Sequence, residues 1–252
     1  MKPIINSINA MVLLGLLIFT GTSSAGTVQD YASFDRAFIP PLAITQQEQV
    51  KPSKKAMAIL LPAWNELKGK YYHASASDDA LRKDFDKIEA QIAKAQEIVD
   101  SGQNLVSAHE ALESVRYTLQ ALRQRSNISY YPDILTNFHE YMEEITHSAG
   151  DVSPADLDEN AVYALKEALQ EALNAWKAVQ QAPFNPAEYG FNDQQAGMRE
   201  KLLVEETAAL KKLEDAIAAG DKEKIISAAA GIKPKYAAQY KLFGDFDKVV
   251  SK

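Results

Sequence analysis

Two segments of the sequence combine histidine and glutamate at a spacing that suits an α-helix. HEALESVR (residues 109–116) and HEYMEEITH (residues 139–147) each begin with His-Glu and place a second glutamate four residues after the histidine, at Glu113 and Glu143. Residues four apart lie on one face of a helix. Nitrogen and carboxylate ligands presented in this way suit iron, manganese, zinc or copper. The two segments therefore predict either a transition-metal site or a polar edge shared by two helices.

The short connection between the two segments predicts which of their residues could bind one ion together. The short SNISY stretch predicts an antiparallel hairpin that turns near residue 128. In that register the first histidines of the two segments lie on the order of 13 Å apart along the axis, too far to share one ion. The residues expected at one level are a histidine and a glutamate from each helix. This candidate metal site is His109, Glu113, Glu143 and His147, with His139 and Arg116 as neighbours.

The same pattern also has a structural explanation without any cofactor. Carboxylate-bridged centres in helical bundles use Glu-x-x-His, which does not occur here at a useful place, and His147 points away from the apolar stripe of its helix. In this alternative His109 is a half-buried polar residue, and Arg116 pairs with Glu140 or Glu143 to fix the register of the helices. Haem b is a weaker candidate, because a methionine on an apolar stripe is usually core.

Composition narrows the function classes. The chain has no cysteine, which excludes disulfides, thiolate metal sites and covalently attached c-type haem. Its formal charge of −7 argues against nucleic acid as a partner. An enzyme is the less favoured class, since no nucleophile, base and orienting group can be assembled from the motifs. Two classes remain: a binding protein for a metal ion or small ligand, and a non-catalytic structural protein that docks a periplasmic protein partner.

The first 25 residues are typical of a secretory signal peptide. Lys2 supplies a positive start, MVLLGLLIFT an apolar run, and SSA small residues suited to cleavage after Ala25. The apolar run is too short to span a membrane, and no later stretch is long and apolar enough either. We therefore expect a soluble, exported mature chain without a membrane span, located in the periplasm, or secreted if the source is not Gram-negative.

Hydrophobic periodicity predicts an all-α fold, an up-and-down bundle of about seven helices. No segment shows the alternation of a strand. The clearest apolar stripe belongs to the helix that carries His109, at Leu105, Ala108, Leu112, Val115, Leu119 and Leu122. The predicted helices cover about residues 53–72, 78–100, 104–125, 132–147, 160–181, 193–219 and 222–240, the last interrupted near Gly231 and Pro234.

The organisation expected around these helices has three parts after the signal. Residues 26–50 show no sustained period and contain Pro40-Pro41, which predicts an extended N-terminal arm lying across the bundle. Residues 51–150 form a first half with four helices, and residues 151–252 a second half with the remaining three. A weak match between the halves leaves two similar, duplicated halves as one interpretation.

Overall fold

The computed structural model describes residues 26–73, 78–150 and 152–250, so the predicted signal peptide lies outside the described residues. Within these ranges the chain is all-α and contains no strand, which confirms the predicted fold class. The helices are α1 Val28–Thr45, α2 Val50–Tyr71, α3 Asp79–Ser101, α4 Leu105–Arg125, α5 Tyr131–Ala149, α6 Glu159–Gln181, α7 Asp193–Ala219, α8 Lys222–Ala230, α9 Lys233–Lys241 and α10 Asp247–Val250, with a 3-10 turn at Pro186–Tyr189. The seven predicted helices are α2 to α7 and the interrupted pair α8 and α9.

The segment predicted as an extended arm is a helix, so that prediction was wrong. α1 begins after Thr27, whose side chain accepts a hydrogen bond from the Asp30 backbone N–H and caps the helix, and it continues through Pro40 and Pro41. Most of its residues are buried, including Phe34, Phe38, Ile39 and Leu42 in the core. Burial of this face compensates for the weak helical propensity of the two prolines.

A distant part of the chain supplies the hydrogen bond that Pro40 cannot donate. In an uninterrupted helix the carbonyl of Arg36 would accept from residue 40, but proline has no N–H. The backbone N–H of Asp245 donates to the Arg36 carbonyl instead, at 2.8 Å. The neighbouring Gly244 fits because a Cβ there would lie 2.9 Å from the Phe246 ring and 3.0 Å from Ile39. The C-terminal segment therefore completes α1.

The helices pack around a main apolar core that extends from Tyr31 to Phe243, and a small separate cluster joins Ile44, Ala56 and Val249. α1 packs on α2 and α4, α3 packs closely on α4, and α5 packs on α6, α8 and α9. The sequence predicted α4 and α5 as packed neighbours, but long polar side chains bridge them instead. The division at residue 150 and the internal duplication stay predictions.

The bridges between α4 and α5 confirm the predicted antiparallel register. Arg123 pairs with Asp133 at the end near the connection, Gln120 Nε2 donates to Asn137 Oδ1 at 2.6 Å, and further along Arg116 meets His139. These are the levels expected of a hairpin that turns near residue 128. Because side chains rather than backbones make these contacts, the seam between α4 and α5 is polar and leaves space.

The break between α8 and α9 places a helix start beside that seam. α8 ends at Ala230, just before Gly231, and α9 begins at Lys233 with Pro234 in its first turn, where a missing N–H costs nothing. The sequence predicted an interruption here, and the structure confirms it.

In the part of the chain that is described, no helix is both long enough and apolar enough to cross a membrane.

Candidate functional site

A small cavity lies where α1, α4, α5 and α9 meet; we call it the seam cavity. Its volume is about 60 Å³, which is space for a few water molecules or a small ion. Most of its exposed wall is carbon, and α1 contributes Ile39, Leu42 and Ala43. Polar side chains reach it from the other helices: His109, Glu113 and Arg116 from α4, His139 and Glu143 from α5, and Lys233, Tyr236, Tyr240 and Lys241 from α9.

Arg116 is the buried cation of the site, with only 4% of its surface exposed. Its Nη2 atom donates to Glu113 Oε1 at 2.8 Å, to His139 Nδ1 at 3.0 Å and to the Tyr117 hydroxyl at 3.3 Å. Its guanidinium also lies over the Tyr240 ring, 5.7 Å from the ring centroid. Within the described residues Nη2 makes all the hydrogen bonds of this guanidinium, so its other nitrogens are not matched by an acid.

The contacts of His139 fix its tautomer. Because a guanidinium can only donate, Nδ1 of His139 must accept from Arg116, and the ring proton lies on Nε2. That nitrogen lies 3.2 Å from Glu143 Oε1. Burial is the main cause that lowers the pKa of His139 below its usual value, so the ring is neutral at pH 7. A neutral His139 with its proton on Nε2 cannot donate a lone pair to a metal from that atom.

Glu143 is held by two partners. Its Oε1 lies 3.2 Å from His139 Nε2 and 2.8 Å from Lys233 Nζ at the start of α9. Partial burial alone would raise its pKa, but the hydrogen bonds from His139 and Lys233 outweigh this and lower the pKa to about 2. Glu143 is therefore ionised at neutral pH and ties α9 to α5.

His109 caps the end of α1. Its Nδ1 donates to the carbonyl oxygen of Leu42 in the last turn of α1, at 2.8 Å, and the Thr45 hydroxyl donates to the same oxygen at 3.2 Å. When the ring is neutral, its lone pair lies on Nε2, 3.6 Å from Glu113 Oε1. A carbonyl that orients one ring nitrogen while the other stays free is also the arrangement found around metal-binding histidines.

The structure brings together three of the four predicted metal ligands. His109, Glu113 and Glu143 line the seam cavity, as do the neighbours His139 and Arg116, whereas His147 is exposed and does not line it. Among the described residues no three histidine, aspartate or glutamate side chains converge closely enough to bind one metal ion. Metal binding stays a prediction.

The predicted partner of Arg116 was wrong. The sequence favoured Glu140 or Glu143, but the guanidinium pairs with Glu113 on its own helix and with His139 across the seam. Glu143 forms its ion pair with Lys233 instead, a residue for which the sequence predicted no role. Both histidines nevertheless approach Glu113, whose Oε1 lies 3.6 Å from His109 Nε2 and 4.0 Å from His139 Nε2.

Two donors at the cavity have no partner. The Tyr236 hydroxyl and the Arg116 Nε atom are both buried and make no hydrogen bond with the described residues. Burial raises the pKa of Tyr236 well above its usual value, although Arg116 lowers it, so the hydroxyl keeps its proton. A buried donor without an acceptor costs about 1–3 kcal/mol. Neither atom reaches the surface of the cavity, so an acceptor would meet these donors only after their side chains turn.

Sequence analysis missed the contribution of α9. Lys233, Tyr236 and Tyr240 recur at intervals of three and four residues, which places them on one face of a helix. That spacing was a usable signal. Nothing local in the sequence, however, shows that this face meets α4 and α5 rather than solvent.

The opposite side of α9 packs near a buried acid that was also missed. Glu206 of α7 is 0% exposed, and neither carboxylate oxygen has a hydrogen-bond partner among the described residues. Burial raises its pKa to about 8, although the positive charge of Lys235 acts in the other direction. Glu206 is therefore largely protonated at neutral pH. Its place on the inner stripe between Leu202 and Leu210 was the signal in the sequence.

A second polar cluster lies two turns further along α4. Arg123, 3% exposed, donates from Nε and Nη2 to the two carboxylate oxygens of Asp133, with the Nε contact at 2.9 Å. Its guanidinium lies between the rings of Tyr31 and Tyr130, 4.9 and 4.5 Å from their centroids. The Tyr130 hydroxyl donates to the buried carboxylate of Asp35 at 2.6 Å, so the cluster joins α1, α4 and α5.

Comparison with known proteins gives no functional assignment. We found no family model, no curated protein and no solved structure that matches this chain. Function therefore has to be inferred from the side chains of the site.

Proposed function

We propose that this protein is an exported helical-bundle binding protein that holds a small anion in the seam cavity. The observation that carries the proposal is the pair of unpartnered donors, the Tyr236 hydroxyl and Arg116 Nε, in residues that line the cavity. Buried polar groups in folded proteins are nearly always satisfied by protein, water or ligand. An anionic acceptor would satisfy both donors once their side chains turn toward the cavity, because neither atom has accessible surface in this structure.

The charges around the cavity favour an anion over a cation. Glu113 and Glu143 are already paired, with Arg116 at 2.8 Å and Lys233 at 2.8 Å. A metal ion would have to compete with these two fixed cations at short range, where electrostatic repulsion is poorly screened. For an anion, the Tyr236 hydroxyl and Arg116 Nε are hydrogen-bond donors that are not already paired with an acid.

The test is ligand-dependent stability with a variant that removes only one hydroxyl. Thermal unfolding of the wild type is followed in sodium acetate and sodium phosphate, with sodium chloride at equal ionic strength as the reference. We expect saturable stabilisation by at least one of the two anions, because a ligand that binds only the folded state stabilises it. Tyr236→Phe should weaken this effect at least fivefold.

Tyr163→Phe is the matched control, since Tyr163 is 66% exposed. It should respond to the anions as the wild type does. The proposal fails if neither anion stabilises the wild type beyond chloride, or if Tyr236→Phe and Tyr163→Phe behave alike.

A transition metal is the second candidate ligand, favoured by the orientation of His109. Its Nδ1 is fixed by the Leu42 carbonyl, and Nε2 lies 3.6 Å from Glu113 Oε1. Iron, manganese, zinc or copper bound there would draw on His109 and Glu113, with Glu143 as a third ligand once Lys233 moves away. Elemental analysis and unfolding with and without chelator test this candidate. Chelator-insensitive stability in a metal-free protein rejects it.

The export part of the proposal is compatible with the start of the fold. A cut after Ala25 would leave α1 intact, because its cap is Thr27. N-terminal sequencing of the protein from a periplasmic fraction should give Gly26 as the first residue. A mature start before residue 15 would contradict this prediction.

A further inference from the structure

We propose that α9 is a lid on the seam cavity, which opens as a unit while α1, α4 and α5 stay folded. The inference concerns entry to the cavity of the proposed function, and it does not depend on which ligand binds there. Three properties of α9 carry it: its short length, its few polar ties to other helices and the unpartnered polar groups on its buried face.

The size of the closed cavity makes movement of one wall necessary for entry. A volume of about 60 Å³ holds a few water molecules and nothing larger than a small ion. Four helices form the wall, and α9 supplies more of the lining residues than any other of the four: Lys233, Tyr236, Ala237, Tyr240 and Lys241. Displacing α9 alone would therefore open the cavity.

α9 is the shortest of these four helices. It has 9 residues, against 18 in α1, 21 in α4 and 19 in α5. A helix this short is not stable by itself and depends on its packing. The chain is non-helical on both sides of it, at residues 231–232 and 242–246, so α9 can move without unwinding α8.

Few polar contacts hold α9 against the rest of the fold. Among the described residues, Lys233 is the only α9 side chain that donates a hydrogen bond to another helix, with Nζ 2.8 Å from Glu143 Oε1 and 3.1 Å from Oε2. Both side chains are more than a third exposed, so water competes for this ion pair and weakens it. The Lys235 ammonium donates to the Gly231 carbonyl, which ties α9 only to the residues just before it.

The buried face of α9 carries polar groups without partners. Gln239 is 0% exposed, and neither its amide nitrogen nor its amide oxygen makes a hydrogen bond with the described residues. The Tyr236 hydroxyl, one turn earlier, is unpartnered as well. Such groups destabilise the closed position, because opening would return them to water. Segments with these properties are the ones that open locally before a chain unfolds.

The seam itself does not depend on α9. Arg116 donates to Glu113 and to His139, and Arg123 pairs with Asp133, so side chains of α4 and α5 hold the two helices together. These contacts remain when α9 moves away. Opening would therefore turn the cavity into a cleft between α1, α4 and α5.

Native-state hydrogen exchange of the wild-type protein, without any ligand, tests the inference. We expect the backbone amides of residues 237–241 in α9 to be about a hundredfold less protected than those of residues 112–122 in α4. Equal protection of the two segments would overturn the proposal, because α9 would then open only when the whole chain unfolds.

Two substitutions should move the opening in opposite directions. Lys233→Gln removes the ion pair with Glu143 and should lower the protection of α9 about threefold. Gln239→Met replaces the unpartnered amide by an apolar side chain of similar shape and should raise the protection about fivefold. Lys222→Gln, at an exposed lysine of α8, is the matched control and should leave the exchange unchanged. Equal exchange in the two lysine variants, or lower protection in Gln239→Met, would contradict the lid.

Thiol labelling shows whether this opening reaches the cavity. The chain has no cysteine, so Leu42→Cys places a single thiol on the α1 wall, at a residue only 4% exposed. Adding Lys233→Gln should accelerate its labelling about threefold. Ala95→Cys in α3, at a residue 0% exposed, is the control, and Lys233→Gln should leave its labelling rate unchanged. A Leu42→Cys rate that does not respond to Lys233→Gln would overturn the proposal.

These experiments contain no anion, so the lid and the proposed function can fail independently. Saturable stabilisation by an anion in a protein whose α9 is as protected as α4 would keep the proposed function and reject the lid. Labelling of Leu42→Cys that depends on Lys233, in a protein that no anion stabilises, would keep the lid and reject the anion site.

Discussion

Arg116 and Arg123 lie on one side of α4, two turns apart, and both are buried, yet they have different surroundings. Arg123 meets an acid from the next helix with two parallel hydrogen bonds, and tyrosine rings cover its faces. Arg116 meets an acid of its own helix through one nitrogen and borders a cavity. A bidentate pair fixes both partners, whereas a partly matched guanidinium keeps donors for something else. Each guanidinium keeps one buried nitrogen without a partner among the described residues, Nη1 in Arg123 and Nε in Arg116, but only Arg116 lines a cavity. We therefore expect the Arg123 cluster to contribute more to stability than the Arg116 cluster.

The largest effect should come from breaking the Arg123 pair. Asp133→Ala leaves a buried guanidinium without its acid, and we expect a loss of about 4 kcal/mol in the free energy of unfolding. Urea denaturation measures it. Asp215→Ala, which removes an exposed partner of Lys211, is the control and should have no measurable effect. Equal effects in both variants would show that the Arg123 cluster is not a stabilising tie.

Glu206 is the extreme case of a buried acid without a partner, and it is largely protonated at neutral pH. Its pKa is about 8 in the folded chain, against about 4.3 in an unfolded one. The folded state therefore holds the proton more tightly, and the contribution of Glu206 to stability falls as pH rises from about 4.5 to about 8. Glu206→Gln should remove this slope and be more stable than the wild type at pH 8 by several kcal/mol.

Urea denaturation at pH 5, 6.5 and 8 checks the prediction for Glu206. The difference between wild type and variant is the relevant quantity, because it cancels the other titrating groups. Parallel stability profiles over this range would mean that Glu206 is solvated or paired in solution.

Arg116→Met should cost less than Asp133→Ala, about 2 kcal/mol, although both changes disrupt a buried ion pair. Glu113 is 27% exposed and keeps His109 nearby, so it tolerates the loss of the guanidinium. Adding Glu113→Leu should recover at least half of the loss, as a double-mutant cycle would show. If Arg116→Met lowered the free energy of unfolding as much as Asp133→Ala does, the two clusters would contribute equally to stability.

The smallest expected effect on stability comes from removing one tyrosine hydroxyl from each of the two clusters. Without ligand, Tyr236→Phe should stabilise the protein by about 1 kcal/mol, since its hydroxyl has no partner among the described residues. Tyr130→Phe should instead destabilise it by about 1 kcal/mol, because the Tyr130 hydroxyl donates to Asp35. Urea denaturation of both variants measures the difference. The comparison is wrong if the two changes have the same sign.

The sequence predicted the helices well because each carries its own apolar period. The α4 stripe from Leu105 to Leu122 is buried as expected, and the break at Gly231 was visible in the local sequence. The antiparallel register of α4 and α5 followed from a short connection. All these signals are local, and local signals survive folding when burial agrees with them.

Non-local partners explain what the sequence did not predict. Two prolines argued against a helix at α1, and the donor that replaces the missing N–H comes from Asp245. Arg116 pairs with Glu113, whereas Glu143 pairs with Lys233 of α9. His147 was predicted to be a ligand but lies on an exposed side of α5. Tyr236 was not predicted but lines the cavity, because its side of α9 packs toward the seam. Such choices depend on how helices are placed relative to one another, which a single sequence does not encode by spacing.

The hydrogen bond from Asp245 to Arg36 also sets an order in time. A ribosome synthesises α1 early, but the donor that completes it emerges about two hundred residues later. Until then the Arg36 carbonyl lacks its donor, and the turn before Ile39 and Leu42 has one hydrogen bond fewer. Contacts between segments so far apart in the chain form late in folding, because the long loop between them must first close. We therefore expect the α1 wall of the seam cavity to be among the last parts of the fold to form, after the helices whose contacts are local in the chain.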